Sequence, residues 1–159
     1  MKKLLCALAI SAIAAPGFAF ADGGTSCATA QEIFSNSSYS GDTSTSTSFV
    51  GAFGGLPSPG PDLAFKFTAQ GASGNIVMTI VGGWNAGAVI TAACGGNAGN
   101  PISAGTGTTT FNVAASPLVD GTLYYFYVTG NPSDNSGPSG AFSFTTPTLP
   151  VTLQNFSID

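Results

Sequence analysis

Leu63-Ala64-Phe65-Lys66-Phe67-Thr68 decides the fold class of this 159-residue chain. Leu63, Phe65 and Phe67 alternate with Ala64, Lys66 and Thr68. In a strand, successive side chains point to opposite faces, so the hexamer reads as a strand with one apolar and one wet face. Similar segments lie on both sides of it. Downstream, Asn75–Val81 puts Ile76, Met78 and Ile80 on one side, and Val77 and Val81 on the other predict cover on both faces. Ala88–Ala93, Thr108–Val113, Leu123–Thr129 and Ala141–Thr146 continue the series, each bounded by Gly, Pro, Asn or Ser clusters. Upstream, Ser48–Phe53 is a candidate strand. Val151–Ile158 is the last, with a change of parity near Asn155 that a bulge would reconcile.

Helical periodicity is nearly absent beyond the first twenty residues; Thr29–Phe34 is expected to make one short helical turn. Gly71-Ala72-Ser73-Gly74 and Gly95-Gly96-Asn97 read as hairpin turns, because no helix follows either to offer an N-terminal anion site. About eight short strands at roughly ten-residue spacing predict an all-β, antiparallel β-sandwich of jelly-roll or immunoglobulin-like type, with a small barrel as the alternative. Its core is expected to hold Phe65, Phe67, Ile76, Met78, Ile80, Phe126, Val128, Phe142 and Phe144. Tyr125 and Tyr127 share one parity, so Tyr124 faces the other side.

The N-terminus carries different information. Met1-Lys2-Lys3 is a basic start, Leu4–Ala15 is apolar, Pro16-Gly17 breaks the run, and Ala19-Phe20-Ala21 is a small-x-small site. This is the pattern of an export signal. Twelve residues reach about 18 Å as a helix, short of a bilayer core of about 30 Å. The expected division is a signal at 1–21, a sandwich at 22–147 and a C-terminal strand or tail at 148–159. The mature chain is expected to be secreted, periplasmic or on the cell surface, with no membrane insertion.

From residue 22 onward the chain has one Lys, Lys66, no Arg and no His, against seven acids, a side-chain charge of −6. One cation cannot neutralise a run of phosphates, so nucleic acid is excluded as a partner, and so is electrostatic attachment to anionic lipid. Ser and Thr make up about a quarter of these residues, giving a surface wetted by hydroxyls. Cys6 leaves with the signal. Cys27 and Cys94 remain, and in an oxidising compartment they are expected to form a disulfide.

The order of several motifs resembles the bacterial pre-peptidase C-terminal domain family of secreted β-sandwich modules. The similar stretches are Cys27-Ala28-Thr29-Ala30 with Ile33, Tyr39-Ser40-Gly41-Asp42-Thr43, and Gly60-Pro61-Asp62-Leu63-Ala64-Phe65-Lys66-Phe67-Thr68. Asp120-Gly121-Thr122-Leu123-Tyr124-Tyr125-Phe126-Tyr127-Val128 and Gly140-Ala141-Phe142-Ser143-Phe144 follow. The resemblance covers most of Thr25–Thr146 and implies a secreted β-sandwich module of a kind often appended to exported peptidases, here not expected to serve a catalytic domain of the same chain. Where the family often carries an aspartate in mid-domain, this chain reads Gly83-Trp84-Asn85-Ala86-Gly87, so a cation site resting on that acid loses its ligand.

Candidate chemistry is sparse. Without His, hydrolase triads built on it are excluded. A Ser–Lys dyad would need Lys66, which sits on a solvated strand face. Asp42, Asp62, Asp120 and Asp134 lie beside Gly, Pro or Asn, where aspartate ordinarily caps its own backbone. Asp134, Asn135 and Asp120 are the candidate ligands for calcium, a hard cation that takes loop oxygens; no other cofactor is expected. Trp84, in a Gly-rich loop, and Tyr124 are candidates for stacking on a sugar ring, with a place in the core as the alternative. The expected function is a non-catalytic module that binds an extracellular polymer or surface component. The alternative is a structural subunit that self-associates through its C-terminal strand.

Overall fold

The computed structural model of the chain describes residues 23–48, 52–53, 56–57, 60–69, 74–95, 102–112, 118–131, 134, 136–147 and 149. The expected signal, Asn135 and the strand expected at Val151–Ile158 lie outside the described residues. The strands are β1 (Gln31–Glu32), β2 (Ser38–Asp42), β3 (Ala52–Phe53), β4 (Leu56–Pro57) and β5 (Leu63–Thr68). They continue with β6 (Asn75–Ile80), β7 (Ala86–Thr91), β8 (Ile102–Gly105), β9 (Thr108–Asn112), β10 (Leu123–Gly130) and β11 (Ala141–Thr145). One 3-10 turn, Thr43–Thr45, is capped by Asp42, whose carboxylate accepts from the Ser44 amide.

The strands form two facing sheets and a small hairpin. The first sheet has the order β1-β5-β10-β7-β8, the second β2-β11-β6-β9, and β3 pairs with β4. The pairings are antiparallel except for the short parallel contact of β1 with β5. The chain is an all-β sandwich. β5 and β6 belong to different sheets and so do not pair as the expected hairpin; residues 71–73 lie outside the described residues. The expected helical turn at Thr29–Phe34 is replaced by β1. Its backbone is captured by β5, with the Ile33 amide donating to the Lys66 carbonyl at 2.9 Å.

The core lies between the sheets, and every residue expected there is buried in it. Phe65 from the first sheet meets Phe144 edge-on at 4.9 Å and Phe142 at 6.1 Å from the second. Tyr39 stacks on Phe144 at 5.1 Å, and its hydroxyl accepts from the Phe34 amide at 2.7 Å. Such ring pairs add to the apolar area they bury. Alternation along β5, β6, β10 and β11 therefore places one side chain in two inside and its neighbours outside.

The two outer faces differ from the expectation in opposite directions. Ala64, on the expected wet face of β5, is fully buried. On β6, expected to be covered on both sides, Thr79 is exposed, Val77 is half-buried, and Val81 just beyond the strand is 54% exposed.

Candidate functional site

The two aromatic candidates are both built into the fold. Trp84 lies in the crossover from β6 to β7, half-buried against the core, and its Nε1 donates to the Ala141 carbonyl at 2.9 Å. Gly140 admits the indole: a Cβ there would lie 2.5 Å from Trp84 Cδ1, closer than side chains approach. Tyr124 is 8% exposed, stacks on Phe67 at 6.0 Å, and accepts the Val119 amide at 2.9 Å. A ring so enclosed has no face to offer a sugar. Tyr124 is a core residue that ties down the turn before β10.

The calcium candidates are separated. Asp120 precedes β10 and Asp134 follows it. At about 3.3 Å per residue, the eight residues of that strand put roughly 23 Å between its ends. One ion cannot bridge that span, so the pairing of Asp120 with Asp134 is corrected; Asn135 lies outside the described residues. Asp134 works locally. Its Oδ1 accepts from the Ser136 amide at 3.1 Å and the Ser136 hydroxyl at 2.6 Å, and Asn85 Nδ2 reaches Oδ2 at 3.5 Å. These donors stabilise the carboxylate and hold its pKa below the ordinary value, with the Ser136 hydroxyl contributing most. Among the described residues no three His, Cys, Asp or Glu side chains converge as metal ligands.

Cys27 and Cys94 are joined, as expected, with Cα atoms 5.9 Å apart. The bridge braces a loop that covers the outer face of the first sheet. Gly24 exchanges two backbone bonds of 2.8 Å with Ala64; the chain then arches through Cys27–Thr29 and returns as β1. Glycine is required at 24, because a Cβ would lie 2.3 Å from the Thr29 carbonyl group. Under the arch, Ala30, Ala64, Val89 and Tyr127 form a second apolar cluster. The Tyr127 hydroxyl accepts from the Gly95 amide at 3.0 Å, donates toward the Ala93 carbonyl at 3.4 Å and lies 3.3 Å from Cys27 Sγ. Burial raises its pKa above the ordinary phenol value.

The outer face of the second sheet carries no such cover among the described residues. Strand register assembles it into rows. Ser40, Ser143, Thr79 and Thr108 stand side by side on β2, β11, β6 and β9. Ser38, Thr145, Val77 and Thr110 form the next row. Thr79 and Thr108 approach to 3.3 Å. The hydroxyls of Ser38, Ser40, Ser143 and Thr145 have no hydrogen-bond partner among the described residues. Ser38, Ser40, Val77, Thr79, Ser143 and Thr145, with the buried Tyr39 and Phe144 beneath them, line a depression of about 240 Å³. Asp42, at the margin, is the only charged residue in the four strands, and it is engaged by the Ser44 amide and hydroxyl. None of these rows was found by reading motifs. The signal was present as Ser38-x-Ser40, Thr108-x-Thr110 and Ser143-x-Thr145, each a polar pair of one parity.

Comparison with family models, with curated proteins and with solved structures returned no match. Among the described residues no helix is long and apolar enough to cross a membrane. The fold class, the disulfide and the arrangement of the two outer faces are thus what the structure establishes.

Proposed function

We propose that this chain is an exported, non-catalytic β-sandwich module that binds an extracellular polymer or surface component through the outer face of β2, β11, β6 and β9. The observation that carries this reading is the row arrangement of uncharged hydroxyls on a face that no described segment covers. Each Ser or Thr hydroxyl is both donor and acceptor, which suits recognition of a neutral polar surface. Export is supported by the signal-like sequence 1–21 and by the disulfide, a bond that persists in oxidising compartments. The kinship to pre-peptidase C-terminal domains belongs to the same proposal and rests on the ordered motifs of Thr25–Thr146.

Co-sedimentation tests the reading. The full chain, exported into an oxidising periplasm, is incubated with purified cell-wall and capsular polysaccharide fractions. Retention on one of them without turnover is expected. Retention on none, or cleavage of the bound polymer, contradicts the proposal. A regular oligomer by size-exclusion chromatography, with no retention, favours the structural-subunit alternative.

A further inference from the structure

We infer that the hydroxyl face takes a single, neutral, extended glycan chain lying across the strands, along the row Ser40, Ser143, Thr79 and Thr108. This deepens the binding reading above and rests on it. Three features of the face select the ligand.

The first is charge. No Lys or Arg stands on β2, β6, β9 or β11 to meet an anionic polymer, and the chain as a whole is acidic. A uronate or phosphate polymer would approach an acidic protein with nothing to pair its charges. A cationic polymer would find only Asp42, whose carboxylate is already engaged by Ser44. A neutral polymer is left.

The second is the kind of contact offered. The backbone groups of β11 and β6, in the middle of the sheet, are used in ladders on both sides, so a peptide cannot add as a strand over this face. Nor is there a large exposed apolar anchor: the depression is lined by five hydroxyl residues, Val77, Tyr39 and Phe144, and both rings are buried in the core. Peptide docking in grooves relies on such anchors. A polyhydroxyl chain needs only reciprocal donors and acceptors, and these hydroxyls supply both.

The third is geometry. Neighbouring strands lie about 4.8 Å apart, so hydroxyls along one row recur at that spacing. This is close to the advance per sugar of an extended glycan. Successive rows are two residues apart, about 7 Å. The row direction therefore offers one polar contact per sugar unit, whereas the strand direction does not. Twist decides between a single chain and a flat crystal. Strands rotate by about 20–25° from one to the next, roughly 60–75° over four strands. A rigid plane, whether crystalline polysaccharide or ice, would register with a few side chains only. A flexible chain follows the twist, and the small Ser38, Ser40 and Ser143 leave the depression into which it settles.

Affinity electrophoresis of the full chain tests the proposal with soluble neutral polymers (hydroxyethylcellulose, xylan, galactomannan) and with alginate as the anionic probe. Microcrystalline cellulose and ice shaping provide the flat surfaces. Retardation by at least one neutral polymer, with none by alginate, is expected. The double variant Thr79→Ala/Ser143→Ala should weaken it about tenfold, the loss expected for two modest hydrogen bonds. Thr68→Ala, on an exposed position of the first sheet, should leave it unchanged. Circular dichroism of the double variant establishes that it folds; Ser143→Thr, which keeps the hydroxyl, should retain binding and serves if the double variant does not fold. Equal retardation by alginate, or binding to crystalline cellulose or ice alone, overturns the ligand assignment. Retardation undiminished in a folded double variant overturns the site while leaving a binding function in place. No retardation by any neutral polymer, combined with retention on a wall fraction, overturns this inference alone; failure of both overturns the binding reading as well.

Discussion

The two outer faces of the sandwich begin from the same alternation and end differently. On the first sheet, one of the two odd-numbered outward tyrosines of β10, Tyr127, is fully buried beneath the arch that starts at Gly24, and Cys27–Cys94 pins that arch in place. On the second, the outward positions are small hydroxyl residues, and no described segment covers them. A strand's own pattern fixes which side chains point outward. Whether the outside is wet depends on a segment from elsewhere in the chain. A face carrying Tyr127, Val89 and Ala64 gains from cover; one carrying Ser40, Ser143 and Thr79 loses little by remaining in water.

The largest way to disturb this comparison is to remove what both faces share. Phe65 touches rings of both sheets, and Phe65→Ala should cost about 3–5 kcal/mol in denaturant unfolding. A cost below about 1 kcal/mol would show that the sheets do not depend on a common core.

Next in size is the brace itself. The bridge closes a 67-residue separation, so Cys27→Ser/Cys94→Ser should lose about 4 kcal/mol on the chain-entropy account. It should also separate the faces: amide exchange should quicken around Gly24, Ile33 and Gly95 before it does in β6 and β11. Uniform acceleration would break the contrast between a pinned face and a self-sufficient one.

A smaller effect sharpens the covered side. Tyr127→Phe leaves the Gly95 amide without its acceptor, at a cost of about 1–3 kcal/mol. The same residue gives a pH signature. Burial keeps the folded phenol protonated at pH values where the unfolded one, with a pKa of about 10, has ionised. The unfolded state then holds fewer protons, so stability falls as pH rises past about 10. Thermal melts should show that fall in the parent and a shallower one in Tyr127→Phe. Identical slopes would mean that Tyr127 is not enclosed.

Much of the architecture was legible because strong local signals carry it. β5 has the bounds its alternation predicts, and β6, β10 and β11 differ from expectation by a residue or so at their ends. The nine expected core residues face inward because parity depends on neighbours one position away. β2 was missed: Ser38-Tyr39-Ser40-Gly41-Asp42 has low strand propensity, and β11 holds it in place from a hundred residues away, with Tyr39 its one buried anchor. β1 was missed for the same reason, its pairing with Lys66 and Phe65 overriding the local preference of Thr29–Phe34. The hydroxyl rows were illegible because a row needs the register of four strands. Each polar pair in the sequence predicts exposure; none predicts its neighbour on the next strand. Trp84, in its Gly-rich loop, and Tyr124, of opposite parity to Tyr125 and Tyr127, were candidates for stacking, but a Gly140 without a Cβ and a Val119 amide awaiting an acceptor are facts of packing.

The smallest expected change in stability falls on the uncovered face. Thr79→Ala/Ser143→Ala should shift unfolding by no more than about 0.5 kcal/mol, the ordinary range for surface substitutions. A loss comparable with that of Tyr127→Phe would mean that these hydroxyls hold the sheet together, and the distinction between the faces would fail.

The most direct measurement is a chemical-shift map of the full chain titrated with whichever neutral polymer retards it most. The largest shifts should fall on Ser40, Ser143, Thr79 and Thr108 and fade toward Ala64, Val89 and Tyr127. Shifts centred on the braced face, or on Trp84 at the sandwich end, would contradict the proposed site.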